Sequence, residues 1–356
     1  MPPPDKNMPD EKSLADRLAG VIAAAGPISL AQFMAEANAH YYATRDPLGA
    51  EGDFITAPEI SQMFGELAGL WLADLWSRAG SPTNAHYVEL GPGRGTLAED
   101  ALRAMRATRF EPPIHLVETS PVLRREQATR LPAARWHDDL DDLPETGPLL
   151  VIANEFFDAL PIRQVQRNAT GWHEVIVDHQ NGKFVPVTSG PPLDMVIPEP
   201  LKDAPLGSVI ETSPASESVA RALADRIAKQ GGAALIVDYG YEGIVTGTTL
   251  QAVSQHKHAD IFADPGERDL TAHINFSVLE RIGRAAGLAV HGPIGQGHWL
   301  ESLGIGARTA ALIKAAPHRP EELIAARDRL TKSEEMGDLF KAMALVAPDW
   351  PAPAAF

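Results

Sequence analysis

The densest chemical signal in the chain is the run Glu89-Leu90-Gly91-Pro92-Gly93-Arg94-Gly95-Thr96. An apolar stretch leads into it and a helical pattern leads out, so the glycines occupy a strand-to-helix turn. Glycine tolerates left-handed backbone and lets a ligand approach the main chain closely. Dinucleotide loops share this grammar, but their third glycine comes one residue later and they hold a pyrophosphate on the helix N-terminus. Here Gly91, Gly93 and Gly95 alternate behind an acid, Glu89. That arrangement suits a ligand that lacks phosphate and carries cationic groups, and S-adenosylmethionine, with its amino group and sulfonium, fits the description. Three alternating glycines exceed what a ligand-free turn requires.

Two further acids stand where such a ligand needs them. Glu118 ends the next strand-like run, one strand-helix-strand unit downstream, where a carboxylate can accept both ribose hydroxyls. The third strand is followed by His137-Asp138-Asp139, and a carboxylate there can accept the adenine amino group. Asp138, the first after the strand, is preferred over Asp139. The fourth strand, Leu149–Ala153, empties into Asn154-Glu155-Phe156-Phe157-Asp158-Ala159-Leu160-Pro161. In doubly wound sheets ligands lie beyond the carboxyl ends of the strands, so this loop faces the reactive methyl. Glu155 and Asp158, flanked by two phenylalanines, can grip a guanidinium or ammonium and shield it from water. The bland alternative makes the phenylalanines core and Asp158 a helix cap.

The elements that must position these residues alternate strand and helix from residue 85 onward, the pattern of a parallel α/β sheet. Strands are expected at 85–90, 114–118, 134–136, 149–153 and 233–239, and helices at 96–108, 121–130 and 214–229. Two alternating runs at 172–178 and 183–187 flank Asn181-Gly182, a strong hairpin signal. They form an insertion over about 163–207, expected to roof the site. After Tyr239 come a strand at 248–253, a polar loop at 254–269, a helix near 276–286 and a strand at 289–293. Helices are expected near 299–303, 321–330 and 335–344. Before the sheet, residues 1–12 read as a disordered tail and 13–84 as a helical and lid segment. Ser13 caps a first helix with apolar spacing at Leu14, Leu18 and Ile22, and a second opens at Ser29. Thr56 and Glu59 have capping-box spacing before a helix apolar at Met63, Leu67, Leu70, Trp71 and Leu75.

The chain has 356 residues, a formal net charge of -16 and no cysteine. Disulfides and thiolate metal sites are therefore excluded, and the twelve histidines show no ligand-like pairing beyond His256 and His258. No metal is expected. The acidic balance disfavours nucleic acid and favours basic or neutral substrates. No apolar run approaches the roughly 18 residues that span a bilayer, and the N-terminus lacks secretory or transit features. Membrane insertion is not expected and the cytoplasm is the expected compartment. The sequence sets no oligomeric state.

The residues resemble those of the MidA-like methyltransferases, relatives of a mitochondrial complex I assembly factor that methylates arginine. The likeness is an ordered series over about residues 13–345. It comprises Gly52-Asp53-Phe54-Ile55-Thr56-Ala57-Pro58-Glu59, the glycine loop, Asn154–Pro161, Ile236-Val237-Asp238-Tyr239-Gly240-Tyr241 and Ala263–His273. Leu303-Gly304-Ile305 and Glu335–Lys341 complete it. Ile274 and Asn275 depart from the pattern, where Val and Asp are expected, and the region of Tyr41-Tyr42 is shorter than usual. The resemblance implies a Rossmann-like class I methyltransferase with a mostly parallel doubly wound sheet over 85–356, an N-terminal helical segment and the inserted hairpin. It implies S-adenosylmethionine as cofactor and, as partner, a protein substrate methylated on arginine, a subunit of NADH:quinone oxidoreductase or its bacterial equivalent. Within the matching blocks, Thr56 and Asn154 join the cofactor-binding residues, Thr56 through a lid closing over the cofactor. His273 either relays the proton a methylated guanidinium loses or serves as a structural hydrogen-bonder. A methyltransferase acting on a small basic molecule and a cofactor-binding assembly chaperone are the competing readings. The Glu155/Asp158 pair argues against a pure binder.

Overall fold

The structure, a computed structural model, describes residues 13–44, 55–254 and 257–356. The expected tail at 1–12, Gly52-Asp53-Phe54 and His256 lie outside the described residues. By compactness the chain forms two units, one of residues 1–41, 161–213 and 246–270, the other of 42–160, 214–245 and 271–356. These boundaries differ from the division at 84/85 expected above. The insertion groups with the N-terminal helices because those segments share one sheet.

The larger unit is built on seven strands: β1 (His86–Leu90), β2 (Ile114–Val117), β3 (Arg135–His137), β4 (Leu149–Asn154), β5 (Gly232–Tyr241), β6 (Ala289–Gly295) and β7 (Phe340–Val346). Their order across the sheet is β6-β7-β5-β4-β1-β2-β3. The pairs from β5 to β3 are all parallel, and β7 runs antiparallel to both β5 and β6. A short strand, Ile274–Asn275, adds in parallel to the end of β5. All six residues of β4 are buried, as a strand covered on both faces requires. Leu150, Ile152, Leu235 and Val237 join Leu67, Trp71, Leu97 and Trp299 in one core. Val151, Ala153 and Ile236 face the other way, toward Leu223, Ile227, Phe276 and Leu279. The alternation along each strand thus sends side chains to two helical layers, the doubly wound arrangement expected.

Helix Gln62–Arg78 packs on helix Thr96–Ala107, which follows the glycine loop, with very little separation. A Cβ on Gly69 would lie 2.4 Å from the Ala101 carbonyl oxygen, and one on Gly65 2.8 Å from the Asp100 Cβ. Glu66, on the same helix and almost fully buried, accepts a two-pronged grip from Arg308 (2.6 and 2.8 Å) and a third bond from Arg103 (3.0 Å). Burial alone would raise this carboxyl, but the two guanidiniums hold it below the usual value. The ion cluster joins helix Ile305–Ala315 to the two helices beside the glycine loop.

The segment expected to be a helix at 335–344 is not one. Residues Ser333–Gly337 make a single wide turn, broken at Glu335, and β7 follows. Phe340-Lys341-Ala342-Met343-Ala344-Leu345-Val346 is rich in helix formers, but its last five residues are buried between β5 and β6. Burial on both faces overrides intrinsic preference, and an apolar run this short reads equally as an interior strand. Helix Ile305–Ala315, opened by Gly304 at φ 87°, is an addition to the elements expected.

In the smaller unit, strand Gly171–Gln180 pairs antiparallel with Arg163–Asn168, Lys183–Ser189 and Ile28–Ser29, and Val209–Thr212 borders Arg163–Asn168. The hairpin turn is the expected one, with Asn181 at φ 51° and Gly182 at φ 77°. Asn38 holds Leu270 by both its backbone groups (2.8 and 3.0 Å). The Glu211 carboxylate gathers the side chains of Gln164 and Thr248 and the backbone N–H of Thr249 and Leu250. Ser13 caps the first helix through the Asp16 N–H, as its spacing predicts.

Candidate active site

The ends of β4, β1 and β2 are neighbours in the sheet, so Asn154, the glycine loop and Glu118 stand side by side along its carboxyl edge. Glu89, near the end of β1, is 3% exposed and accepts the Tyr87 hydroxyl at 2.6 Å. Burial pushes its carboxyl up to about 8, against which the Tyr87 hydrogen bond acts only partly. Gly91, Gly93 and Gly95 have φ of 60°, 54° and 80°, conformations that L side chains seldom adopt. A Cβ on Gly91 would also strike the Phe156 ring at 2.8 Å. That glycine therefore serves the protein's own packing as well as the turn.

Burial raises the Glu118 carboxyl, opposed by the Ser120 N–H (2.7 Å) and the Gln127 amide (3.3 Å). Asp138 is exposed and ion-paired with Arg124 at 2.5 Å. The same guanidinium donates to the backbone carbonyls of Glu118 and His137. Asp139 turns to its own chain and caps the Asp141 N–H.

The loop after β4 is held in an unusual way. Glu155 sits at φ 49°, a left-handed conformation costly for a residue with a long side chain. Its backbone N–H bonds the Val237 carbonyl, and its carboxylate accepts the Ala57 N–H (3.1 Å) and the Asn154 amide (3.2 Å). The Tyr239 phenol opposes the rise that burial gives the Asp158 carboxyl. Asp238, fully buried at the end of β5, accepts the N–H of Phe157 (3.0 Å) and Asp158 (3.2 Å) with one oxygen and that of Tyr239 (2.9 Å) with the other. Burial raises Glu155 to about 7 and Asp158 to about 6. It raises Asp238 still more, with Asp158 and Glu155 adding repulsion. His273 meets the Tyr239 ring edge-on, 5.1 Å between centroids.

The expected capping box at Thr56 does not form. Thr56 occupies the cap of the short helix Ala57–Ile60, but its side chain bonds no N–H there. Glu59, its supposed partner, reaches instead to the Thr96 hydroxyl (2.6 Å) and toward Arg94 (3.8 Å). The Glu155 carboxylate takes the vacant capping role on Ala57. The box fails because a separate helix, Gln62–Arg78, begins one turn later with its own cap, Ser61 bonding the Met63 N–H.

Glu89, the three glycines, Glu118 and Asn154 thus come together at the strand ends. Glu155, Asp158 and His273 gather around Tyr239 and Asp238, and Asp138 is linked through Arg124 to the Glu118 backbone. Sequence reasoning missed three members. Asp238 and Tyr239 carry the strand-end signal that picked out Glu89 and Glu118. Gln127 lies mid-helix and carries none. The residues fit S-adenosylmethionine on the structure's own terms. The Asn154 Oδ1 is buried without a partner, and the Asp158 Oδ1 likewise.

Residues 67–294 match the family described as "Putative S-adenosyl-L-methionine-dependent methyltransferase". The protein arginine methyltransferase NDUFAF7 homolog of Drosophila melanogaster, mitochondrial, is 39% identical, with 94% of this chain and 84% of that one covered. The human protein arginine methyltransferase NDUFAF7, mitochondrial, is 36% identical over 91% of this chain and 81% of its own. A Burkholderia thailandensis protein described as a "likely methyl transferase", crystallised with S-adenosyl-homocysteine, superposes with a TM-score of 0.84. It is 28% identical, with 96% of this chain and 93% of that chain covered. The chain belongs to this S-adenosylmethionine-dependent methyltransferase family, and S-adenosylmethionine is its cofactor.

Proposed function

We propose that the chain methylates an arginine of a protein substrate, and that the buried carboxyl cluster beyond β4 and β5 receives the guanidinium. The cluster of Glu155, Asp158 and Asp238 is the observation that carries this reading. Asp158 and Asp238 are buried and Glu155 is half-buried beside them, and each carboxyl is raised by burial or by its neighbours. Such a group is short of a cation. A planar guanidinium, always charged and with five donors, satisfies it better than an ammonium does. The Asp158 Oδ1, buried and unpartnered, is an acceptor in waiting.

Bound S-adenosylmethionine supplies an electrophilic methyl group. In the proposed site Glu89, Gly91, Gly93, Gly95, Glu118, Asp138, Asn154 and Thr56 hold the cofactor. Glu155 and Asp158 orient the acceptor nitrogen, and Phe156 and Phe157 keep water away. A guanidinium nitrogen that gains a methyl must shed one proton. A carboxylate at Asp158 Oδ1 or Glu155, poised at about 6 to 7, can take it near neutral pH. In this proposal His273, whose ring meets that of Tyr239 edge-on, steadies the phenol, the structural one of its two expected roles.

The relatives' printed names support the arginine assignment. The likeness to the complex I assembly relatives supports a subunit of NADH:quinone oxidoreductase as the acceptor. Cytoplasmic residence belongs to the same proposal; no helix among the described residues is long and apolar enough to cross a membrane. The test is labelled S-adenosylmethionine incubated with lysate of a strain lacking the protein, with and without its addition. Label appearing on arginine of one protein band supports the reading. Label only in small molecules, or none, overturns it.

A further inference from the structure

Gln127 lies within the Pro121–Arg130 helix, where patterning treats it as an ordinary polar position, yet it is 0% exposed. Its amide makes three bonds. The Nε2 donates to the Gly93 carbonyl at 2.6 Å and to Glu118 Oε2 at 3.3 Å, and the Oε1 accepts the Trp136 indole N–H at 2.8 Å. The indole can only donate, so the oxygen of the amide must face Trp136 and the NH2 must face the other two. Both amide hydrogens are thereby directed at the glycine loop and at the acid that ends β2. Trp136 belongs to β3, so one buried side chain joins three consecutive strand ends.

We propose that Gln127 is a positioning residue for the cofactor, setting the separation between the glycine loop and the Glu118 carboxylate. The inference rests on the reading that those two elements hold S-adenosylmethionine, and it adds the part that spaces them. Glu118 has one oxygen on the Ser120 N–H and the other on Gln127, so its carboxylate plane is set before any ligand arrives. Preorganisation of this kind lowers the ordering cost of binding. The ligand group that feels it most is the ribose diol, because a tilted carboxylate no longer meets both hydroxyls.

The experiment uses the full chain and two shape-preserving variants. Gln127→Met removes all three bonds, and Gln127→Glu keeps an acceptor for Trp136 but sets a carboxyl against Glu118 and the Gly93 carbonyl. Affinity for S-adenosylhomocysteine and for its 2′-deoxy analogue is measured by calorimetry, with thermal melting and with KM and kcat for S-adenosylmethionine. Loss of charge-assisted and neutral bonds to the pocket predicts about tenfold weaker S-adenosylhomocysteine binding in each variant. The preference for the ribose over the deoxyribose ligand should fall toward unity. KM should rise by a similar factor while kcat at saturation stays within about threefold. The preference is a ratio of affinities, so partial unfolding leaves it unchanged and a merely structural role would not move it. An unaltered ratio in either folded variant overturns the inference. Glu118→Gln is measured alongside. If it too leaves affinity and ratio as they were, the failure lies in the assignment of Glu118 to the ribose, and the role of Gln127 falls with it.

Discussion

The turns after β1 and after β4 lie on adjacent strands, and both force the chain into left-handed backbone, yet they do it with opposite means. After β1 the three left-handed positions are glycines, for which that conformation costs little. After β4 the left-handed position is Glu155, where it costs of order 1–3 kcal/mol. The first loop is built from main chain with the side chains removed. The second keeps a half-buried glutamate on strained backbone and holds its carboxylate with the Ala57 N–H and the Asn154 amide. Glycine suits a place where a ligand meets backbone. A glutamate at such a position brings a side chain that accepts the Ala57 N–H and the Asn154 amide, which a glycine could not do.

The largest effect should come from breaking the first loop. Gly93→Val forces a β-branched residue into φ 54° and crowds the ligand's approach. S-adenosylhomocysteine affinity should fall by about a hundredfold or more, with the melting temperature close to that of the wild type. Calorimetry and melting check both parts. Normal affinity in a folded Gly93→Val protein would reduce the loop to a plain turn.

Breaking the second loop should spare the cofactor. Glu155→Gln and Asp158→Asn preserve shape and remove charge, so each should lower methyl incorporation by about tenfold or more, since a charged hydrogen bond is worth roughly 1.5–3 kcal/mol. Cofactor affinity should stay within about twofold. A parallel collapse of affinity would place the acidic loop in the cofactor pocket and end the contrast drawn here.

The pH dependence sharpens the contrast further. Glu155 at about 7 and Asp158 at about 6 are ionised only above those values, so the grip on a guanidinium is present at higher pH and lost as pH falls. Transfer at saturating cofactor should rise between about pH 5.5 and 7.5, with midpoints belonging to the coupled cluster. Stability runs the other way. Folded values above the unfolded ones mean that the fold holds these protons more tightly. Their contribution is full below the ordinary carboxyl range and is lost as pH rises through 6 to 7. Activity should therefore climb across the window in which denaturant midpoints decline, and Glu155→Gln should flatten both curves.

The smallest effect concerns the strap between the two loops. Thr56→Ala removes a side chain that caps nothing and should cost less than about 0.5 kcal/mol, whereas Ser61→Ala loses a real cap and should cost about 1 kcal/mol. Equal costs in denaturant unfolding would restore the capping box at Thr56.

The two loops also differ in how far they could be read in advance. Glu89, the glycines and Glu118 are local signals, each a residue type at a strand end, and the strands themselves stand out as apolar runs. The acidic loop is assembled from afar. Asp238 is eighty residues beyond Asp158, and no local pattern says that its carboxylate bonds the Phe157 and Asp158 amides. Gln127 was invisible for the same reason, since its partners lie on three different elements. The strand at Phe340–Val346 was misread because composition records helix preference, while its place between β5 and β6 is decided by the whole sheet. Thr56 and Glu59 matched a local motif, but Glu59 found a better partner in Thr96.

The position of β7 has a consequence in time. It is read out after every other strand of the sheet, yet it lies inside, with β5 on one side and β6 on the other. Among the described residues β6 pairs with no strand of the sheet except β7. Until β7 is released from the ribosome, neither that edge of β5 nor β6 has its partner in the sheet. Only when residue 346 clears the exit tunnel can the sheet be completed. The final strand acts as a keystone, and a nascent chain stalled before it presents the open edge of β5 to whatever chaperone or neighbouring chain is near.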